Sequence, residues 1–302
     1  MTSRPRIRFA APLACAAALT AASGAGAEGL GLFSGLRSDR PASAAPAAFS
    51  GQAGETRSQL ALMRGWEETP GLHVAALDIR LADGWKTYWR VPGDAGIPPH
   101  FDWTGSENVA AVEVRWPAPI AFDTYGMTTL GYAEAVTLPL RVRAADPSRP
   151  VTLQLDFAYG LCADICIPAQ ASLNLEMPAG ADADAYAAQA ISAALAAQPA
   201  AMDAAGIEVQ ACGLSGERDD RRLEAVFEMP GDLAAPPMAV VEGPESYWFH
   251  PADVAVDGRE VRVTAVLDPA SPGAEGGWLA RDALRVTLLA EGGAVETAGC
   301  AG

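Results

Sequence analysis

A short stretch of the chain, residues 159–168, places two cysteines, Cys162 and Cys166, between two runs of alternating apolar residues. The runs cover 151–157 and 171–177, and an apolar side chain at every second position is typical of a β-strand. Two such runs with so short a connection predict a β-hairpin with the cysteines flanking its tip. Facing residues of an antiparallel pair come within disulfide range, so the stretch predicts an antiparallel sheet and permits a local bridge.

A Cys162–Cys166 bridge would add little to stability. A closed loop of about five residues contributes roughly 2 kcal/mol in the chain-entropy model, against about 3 kcal/mol for a fifteen-residue loop. A bridge at a loop tip is also open to an attacking thiolate. We therefore interpret the pair as redox-active, and the alternative is a purely structural bridge.

The N-terminus reads as a secretory signal peptide over residues 1–27. Arg4, Arg6 and Arg8 precede an apolar stretch over 9–22, and Ala-Gly-Ala at 25–27 suits a cleavage site. Cys15 lies in the apolar stretch and is expected to be removed with it. Residues 28–55 are rich in Gly, Ala, Ser and Pro and predict a flexible leader. No later run reaches the roughly 18 apolar residues of a membrane span, so we expect an exported, soluble mature chain without a membrane span.

Charge and cysteine count constrain the mature chain further. The signal carries three of the 21 basic residues and none of the 37 acidic ones, which leaves a net charge of −19. This charge argues against nucleic acid or an anionic membrane as a partner. Four cysteines remain and allow three pairings, of which Cys162–Cys166 plus Cys212–Cys300 is the simplest. The second bridge would close about 89 residues and is expected to be structural.

Many short alternating runs separated by turn signals predict an all-β chain. We expect a first antiparallel β-sandwich over 56–178. An alanine-rich helix is predicted over 181–200, with Asp182 and Asp184 at its start, inside a connector that covers 179–204 and packs against a sheet. Residues 205–302 predict a second, smaller β-rich domain, plausibly another sandwich.

Several side chains outside the cysteine pair have two interpretations. An aromatic cluster could form a partner platform, but core packing is favoured; its members are Trp85, Tyr88, Trp89, Trp103 and Trp116. Residues 122–127, followed by Tyr132, predict a loop that either covers the cysteine pair or only connects two strands. Asp164, between the cysteines, should raise the pKa of the thiols and slow thiolate formation, unless solvent screens it.

Other chemistries find little support in the sequence. One of the three histidines, His73, His100 or His250, could join two thiolates in a Cu(I) site, but no pattern brings any of them near the pair. We predict no metal site and no cofactor. The chain lacks a Cys-x-x-Cys in a βαβ setting, so it is not itself a thioredoxin, and it shows no pattern of a hydrolase or a kinase.

Four stretches together carry a family resemblance: 84–94 (Gly-Trp-Lys-Thr-Tyr-Trp-Arg-Val-Pro-Gly-Asp), Trp116-Pro117, Gly131-Tyr132 and 162–168 (Cys-Ala-Asp-Ile-Cys-Ile-Pro). They resemble the N-terminal periplasmic domain of the DsbD and ScsB thiol:disulfide interchange proteins. The resemblance covers about 56–178, and the helix and the second domain look like the longer, ScsB-like version of that region.

The resemblance implies an immunoglobulin-like sandwich in the periplasm with one redox-active disulfide, carried here by Cys162 and Cys166. Such a domain accepts electrons from a thioredoxin-like domain that a membrane domain feeds. It passes them to periplasmic thiol–disulfide proteins, including isomerases and cytochrome c maturation factors. The segment 123–127, with Asp123 and Tyr125, resembles the family's protective cap.

The sequence as a whole thus predicts an exported relay of electrons by thiol–disulfide exchange. The chain stops at Gly302 without a thioredoxin-like domain, so we expect a separate thioredoxin-like or membrane electron-transfer donor. If the chain is an enzyme, it is a protein-disulfide reductase. The alternative is a non-catalytic module that binds partners or handles copper, with the cysteine pair as ligand or staple.

Overall fold

The described residues of the computed structural model are 57–124, 126–180, 183–216, 221–244, 247–269, 281–291 and 293–299. They form nineteen strands, one α-helix and a short 3-10 helix, Arg281–Ala283. The predicted signal peptide and leader, residues 1–55, lie outside them. No helix among the described residues is long and apolar enough to cross a bilayer.

The first ten strands build two antiparallel sheets, which we call the N-terminal sandwich. One sheet has the order β1-β2-β8-β5, and the other has the order β10-β9-β3-β7-β6 with β4 paired to β9. The strands are β1 Ser58–Thr69, β2 Leu72–Leu81, β3 Lys86–Gly93, β4 His100–Asp102, β5 Val109–Val114, β6 Ile120–Thr124, β7 Met127–Ala133, β8 Ala135–Ala144, β9 Val151–Cys162 and β10 Cys166–Met177.

The core of the N-terminal sandwich follows the two-residue period of its strands. Leu153, Leu155 and Phe157 of β9 are buried in the core, while Gln154 and Asp156 between them are exposed. The alternation stops at Tyr159, because the last four residues of β9 are all buried. At the cysteine end of β9, the sheet is therefore covered on both faces. We call the face that is turned away from the core the outer face, and other side chains of the chain must cover it there.

The single α-helix of the described residues, α1 Ala185–Ala196, packs on the outer face of the β1-β2-β8-β5 sheet. Asp184 caps it by accepting the Ala187 N–H at 2.7 Å. Ile191 and Ala187 of the helix are buried against Val74 and Ala76 of β2. The helix is shorter than the predicted 181–200, but it packs against a sheet as the sequence predicts.

Nine further strands, which we call the C-terminal sheets, surround a second core. One sheet has the order β11-β19-β18-β14, and the other has the order β12-β13-β17-β15 with β16 paired to β17. The strands are β11 Ala200–Ala201, β12 Glu208–Ser215, β13 Arg222–Glu228, β14 Met238–Glu242, β15 Tyr247–Phe249, β16 Asp253–Asp257, β17 Glu260–Pro269, β18 Arg285–Ala290 and β19 Gly293–Ala298. The predicted domain boundaries at 178 and 205 stay predictions.

The N-terminal sandwich and the C-terminal sheets are in direct contact. Val240 of β14 and Leu289 of β18 pack against the core of the N-terminal sandwich. Arg90 of β3 forms ion pairs with Glu242 of β14 and Glu296 of β19. The strand that begins beside the cysteines therefore reaches the C-terminal sheets within a few residues.

The prediction of a loop over 122–127 was wrong in its secondary structure. Residues 120–124 and 127–133 pair as an antiparallel hairpin, with Phe122 opposite Thr129 and Asp123 opposite Thr128. Asp123 lies in the first strand of this hairpin, and Gly126 directly precedes the second. Tyr125 lies outside the described residues.

Candidate redox site

The β9–β10 hairpin brings the two cysteines together at its tip. The register places Cys162 directly opposite Cys166, with Cα atoms 4.1 Å apart, and the two sulfurs form a disulfide. In the connecting turn, the Ala163 N–H donates to the Ile165 carbonyl at 3.2 Å. The alternating runs of the sequence thus predict the hairpin, its tip and the bridged pair.

The two cysteines differ sharply in their access to solvent. Cys162 is 1% exposed, because it lies on the covered end of β9. Cys166 begins the edge strand β10 and is exposed, and the neighbouring Ile165 side chain is 68% exposed. Solvent therefore reaches the pair from the Cys166 side.

Tyr88 covers the outer face of the sheet beside the pair. Its hydroxyl donates a hydrogen bond to Cys166 Sγ at 3.0 Å, although only 3% of the residue is exposed. Burial raises the pKa of Tyr88, so the hydroxyl stays protonated and able to donate at neutral pH. The arrangement gives the Cys166 sulfur a neutral hydrogen-bond donor in a sheltered position.

A glycine makes room for the Tyr88 ring. A Cβ at Gly160, on β9, would lie 2.6 Å from the ring of Tyr88 and 2.7 Å from Ile97. Thr87, the neighbour of Tyr88 on the core side, donates from Oγ1 to the Gly160 carbonyl at 2.9 Å. The absence of a side chain at Gly160 of β9 thus leaves the space on the sheet that the Tyr88 ring of β3 occupies beside the disulfide.

A cation also lies on this outer face. Lys86, at the start of β3, is the direct cross-strand neighbour of Cys162. Its Nζ lies 4.7 Å from the centre of the Phe122 ring on β6. The surroundings of the cysteine pair therefore include both Lys86 and the exposed Asp164 of the turn.

The four tryptophans of the aromatic cluster belong to the packing of the core, as predicted. Trp89 is fully buried in the core of the N-terminal sandwich, and three partly buried tryptophans pack against that core: Trp85, Trp103 and Trp116. Tyr88 is buried on the opposite face of β3 and contacts the disulfide. The signal was in the sequence, because the two-residue period forces Tyr88 and Trp89 to opposite faces of β3.

The remaining predicted site residues are less closely joined to the pair. Asp123 is exposed and accepts the Gly126 N–H at 3.4 Å, and no contact to a cysteine is found for it among the described residues. Tyr132 points into the sandwich, where its hydroxyl donates to the Pro117 carbonyl at 2.7 Å. A cap formed by 123–127 stays a prediction.

The histidines do not gather around the cysteines. His73 lies in β2 of the other sheet, and His250 contacts Asp268 at 2.7 Å in the C-terminal sheets. His100 pairs with Ala158, four residues before Cys162. In the described part of the chain, no three His, Cys, Asp or Glu side chains are grouped as metal ligands.

Cys212 lies in β12 and is disulfide-bonded. Cys300, its predicted partner, lies outside the described residues. The Cys212–Cys300 pairing therefore stays a prediction.

Comparison with known proteins agrees with this geometry. Residues 61–178 match the family model of the N-terminal region of thiol:disulfide interchange protein DsbD. These residues are similar to a DsbD N-terminal domain. The matched stretch contains the whole β9–β10 hairpin and Tyr88, and the model that it matches is that of a thiol:disulfide interchange protein.

A solved structure extends the likeness in fold beyond the DsbD N-terminal domain. The N-terminal periplasmic domain of ScsB from Proteus mirabilis has a TM-score of 0.62 and 23% sequence identity with this chain. The match covers 82% of this chain and 95% of that one. No curated protein sequence matches the chain. The fold of the chain, which begins with an immunoglobulin-like antiparallel sandwich, is thus similar to that of this ScsB region.

Proposed function

We propose that this chain is a periplasmic thiol–disulfide exchange protein, which relays two electrons through Cys162 and Cys166 from a thioredoxin-like donor to client disulfides. The observation that carries the proposal is the disulfide between buried Cys162 and exposed Cys166, with the Tyr88 hydroxyl on Cys166 Sγ, in a stretch that matches the DsbD N-terminal model. A buried structural bridge needs neither solvent access nor a polar partner for its sulfur.

In this proposal reduction begins at Cys166, because Cys166 is the exposed residue of the pair and Cys162 is buried. A donor thiolate attacks Cys166 Sγ, a new S–S bond joins donor and Cys166, and Cys162 leaves as a thiolate that takes up a proton. The second donor thiol then attacks the donor sulfur of this mixed disulfide. The donor ends as a disulfide, and the chain ends with two thiols and two more electrons.

Transfer to a client runs through the same sulfur in the opposite direction. The Cys166 thiolate attacks a client disulfide and releases one client sulfur as a thiolate. Cys162 then attacks Cys166 Sγ, which restores the Cys162–Cys166 bridge and frees the reduced client. The Tyr88 hydroxyl favours the thiolate form of Cys166, since a hydrogen bond to the charged form lowers a thiol pKa.

The surface around the sulfur suits a protein partner. Ile165 is an apolar side chain, 68% exposed, within one residue of Cys166. A thioredoxin-like protein that contacts Ile165 would hold its own sulfur near Cys166 and exclude water from the exchange. By analogy with the family, clients include isomerases and cytochrome c maturation factors, and the compartment is the periplasm.

Trapping of the mixed disulfide tests the proposal. A thioredoxin-fold donor with a single active-site cysteine, labelled with thionitrobenzoate, is mixed with the Cys162→Ser or the Cys166→Ser chain. We expect rapid release of the label and a covalent heterodimer with Cys162→Ser, and almost none with Cys166→Ser. A heterodimer with Cys166→Ser alone would reverse the order of attack. The absence of a heterodimer with both variants would contradict exchange.

A further inference from the structure

The strand that carries Tyr88 loses its regular pairing with both neighbouring strands directly after Tyr88. Strand β3 pairs with β9 only at Lys86 and Thr87. Its ladder with β7 is interrupted, because Tyr88 pairs with Gly131 and the next pair is Gly93 with Thr129. Residues 89–92 thus bulge out of the ladder. Ordinary strand pairing does not fix the backbone directly after Tyr88.

Arg90, within this bulged segment, is bound by two carboxylates of the C-terminal sheets. Its guanidinium donates to both carboxylate oxygens of Glu242, from Nε at 2.8 Å and from Nη2 at 2.7 Å, and also pairs with Glu296. Two-pronged Arg–carboxylate pairs are strong and directional. Glu242 belongs to β14 and Glu296 to β19, so the anchor lies in the C-terminal sheets.

The ion pairs of Arg90 with Glu242 and Glu296 are largely shielded from solvent, and further contacts support them. The Arg90 side chain is 14% exposed, and those of Glu242 and Glu296 are 19% and 20% exposed. The guanidinium carbon lies 4.0 Å from the centre of the Trp89 ring, and Trp89 is fully buried. Glu296 is itself held by the Thr287 hydroxyl at 3.1 Å. Shielded pairs of this kind keep their geometry better than solvent-exposed ones.

We propose that Arg90 is a positioning residue for the redox site: the C-terminal sheets, through Glu242 and Glu296, hold β3 so that the Tyr88 hydroxyl stays on Cys166 Sγ. This inference rests on the proposed function. It assigns the C-terminal sheets the role of positioning Tyr88 beside the cysteine pair. Arg90 touches neither sulfur and acts only through Tyr88.

The test measures the reactivity of Cys166 itself, without a protein partner. The reduced mature chain is alkylated with iodoacetamide from pH 6 to pH 10, and fragment masses give the rate at Cys166 separately from Cys162. The variants are Tyr88→Phe, Arg90→Gln and the two combined. Arg262→Gln is the matched control, because Arg262 forms an exposed ion pair with Glu260 at 2.7 Å within the C-terminal sheets.

We expect Tyr88→Phe to slow alkylation of Cys166 at pH 7 by roughly three- to tenfold, and Arg90→Gln by roughly two- to fivefold, with the midpoint of the pH profile moved upward. The combined variant should be no slower than Tyr88→Phe alone, since coupled residues are non-additive. Arg262→Gln should match the wild type. Glu242→Gln, a milder variant, should move the midpoint in the same direction as Arg90→Gln.

An Arg90→Gln or Glu242→Gln chain that melts earlier but keeps the wild-type pH profile would overturn the inference, since the ion pair would then be only structural. Additive effects of Arg90→Gln and Tyr88→Phe would also overturn it. Failure of the proposed function is a separate outcome. A chain that reacts with no thioredoxin-like donor can still show the dependence of Cys166 on Arg90.

Discussion

At the level of single residues, the site is an asymmetric pair of sulfurs with one hydrogen-bond donor. Spacing and strand pattern predicted the bridged cysteines, because both features are local in the sequence. The contact from Tyr88 could not be found in the same way, since 78 residues separate it from Cys166. It depends on β3 lying beside β9, and that pairing is set by the packing of the whole sandwich.

The charge of Asp164 should tune the thiols. We expect Asp164→Asn to increase the thiolate fraction of the reduced cysteines at neutral pH, because a nearby carboxylate disfavours a thiolate. Thiolate absorbance at 240 nm during a pH titration of the reduced chain measures this fraction. Asp257→Asn, an exposed change in β16, is the control. An unchanged titration would show that solvent screens Asp164.

The space left by Gly160 can be tested with a matched pair of glycines. Gly160→Ala should displace the Tyr88 ring, because the new Cβ would lie 2.6 Å from it, and should therefore slow alkylation of reduced Cys166 at pH 7. Gly213→Ala in β12 has no atom within 4 Å of the new Cβ and should leave the alkylation rate unchanged. Equal rates in the two variants would mean that Tyr88 does not affect Cys166.

At the level of elements, alternating runs predicted most of the long strands, and the alanine-rich composition predicted helix α1. The prediction failed where residues of turn-like composition nevertheless pair as a β-strand. Residues 120–124 contain Asp123 and are followed by Tyr125-Gly126, a turn-like composition, yet they pair along β7. Strand β2 is buried on both faces, which only the packing of α1 explains.

Helix α1 should contribute to stability through its buried face. Ile191 is fully buried against β2, so Ile191→Ala should reduce the free energy of unfolding by roughly 2–4 kcal/mol. Gln189→Ala, an exposed change on the same helix, should have almost no effect. Urea denaturation followed by circular dichroism compares the two variants. A loss below about 0.5 kcal/mol for Ile191→Ala would mean that the helix is not docked in solution.

At the level of the whole molecule, two cores are joined through β3. The sequence predicted β-rich structure in both halves, and the ion pairs of Arg90 could not be foreseen. They join residues that are 152 and 206 positions apart, and no local pattern marks Arg90, Glu242 and Glu296 as partners. Their alignment follows only from how the N-terminal sandwich meets the C-terminal sheets.

The predicted bridge between Cys212 and Cys300 should stabilise the C-terminal sheets without taking part in exchange. Replacing both cysteines with Ala should cost about 2–5 kcal/mol in the free energy of unfolding of this region. Exchange at Cys162–Cys166 should persist at temperatures where the variant stays folded. Peptide mapping without reduction provides the direct check, and a free thiol at either position would contradict the pairing.

The reduction potential of Cys162–Cys166 is the most direct measure of whether the pair is built for exchange. The mature chain is equilibrated with glutathione buffers of defined potential, and the state of the pair is read by alkylation and mass. We predict a reversible transition between roughly −270 and −120 mV, the range of catalytic disulfides. A potential below about −300 mV, typical of structural disulfides in secreted proteins, would contradict the relay and leave the pair as a staple.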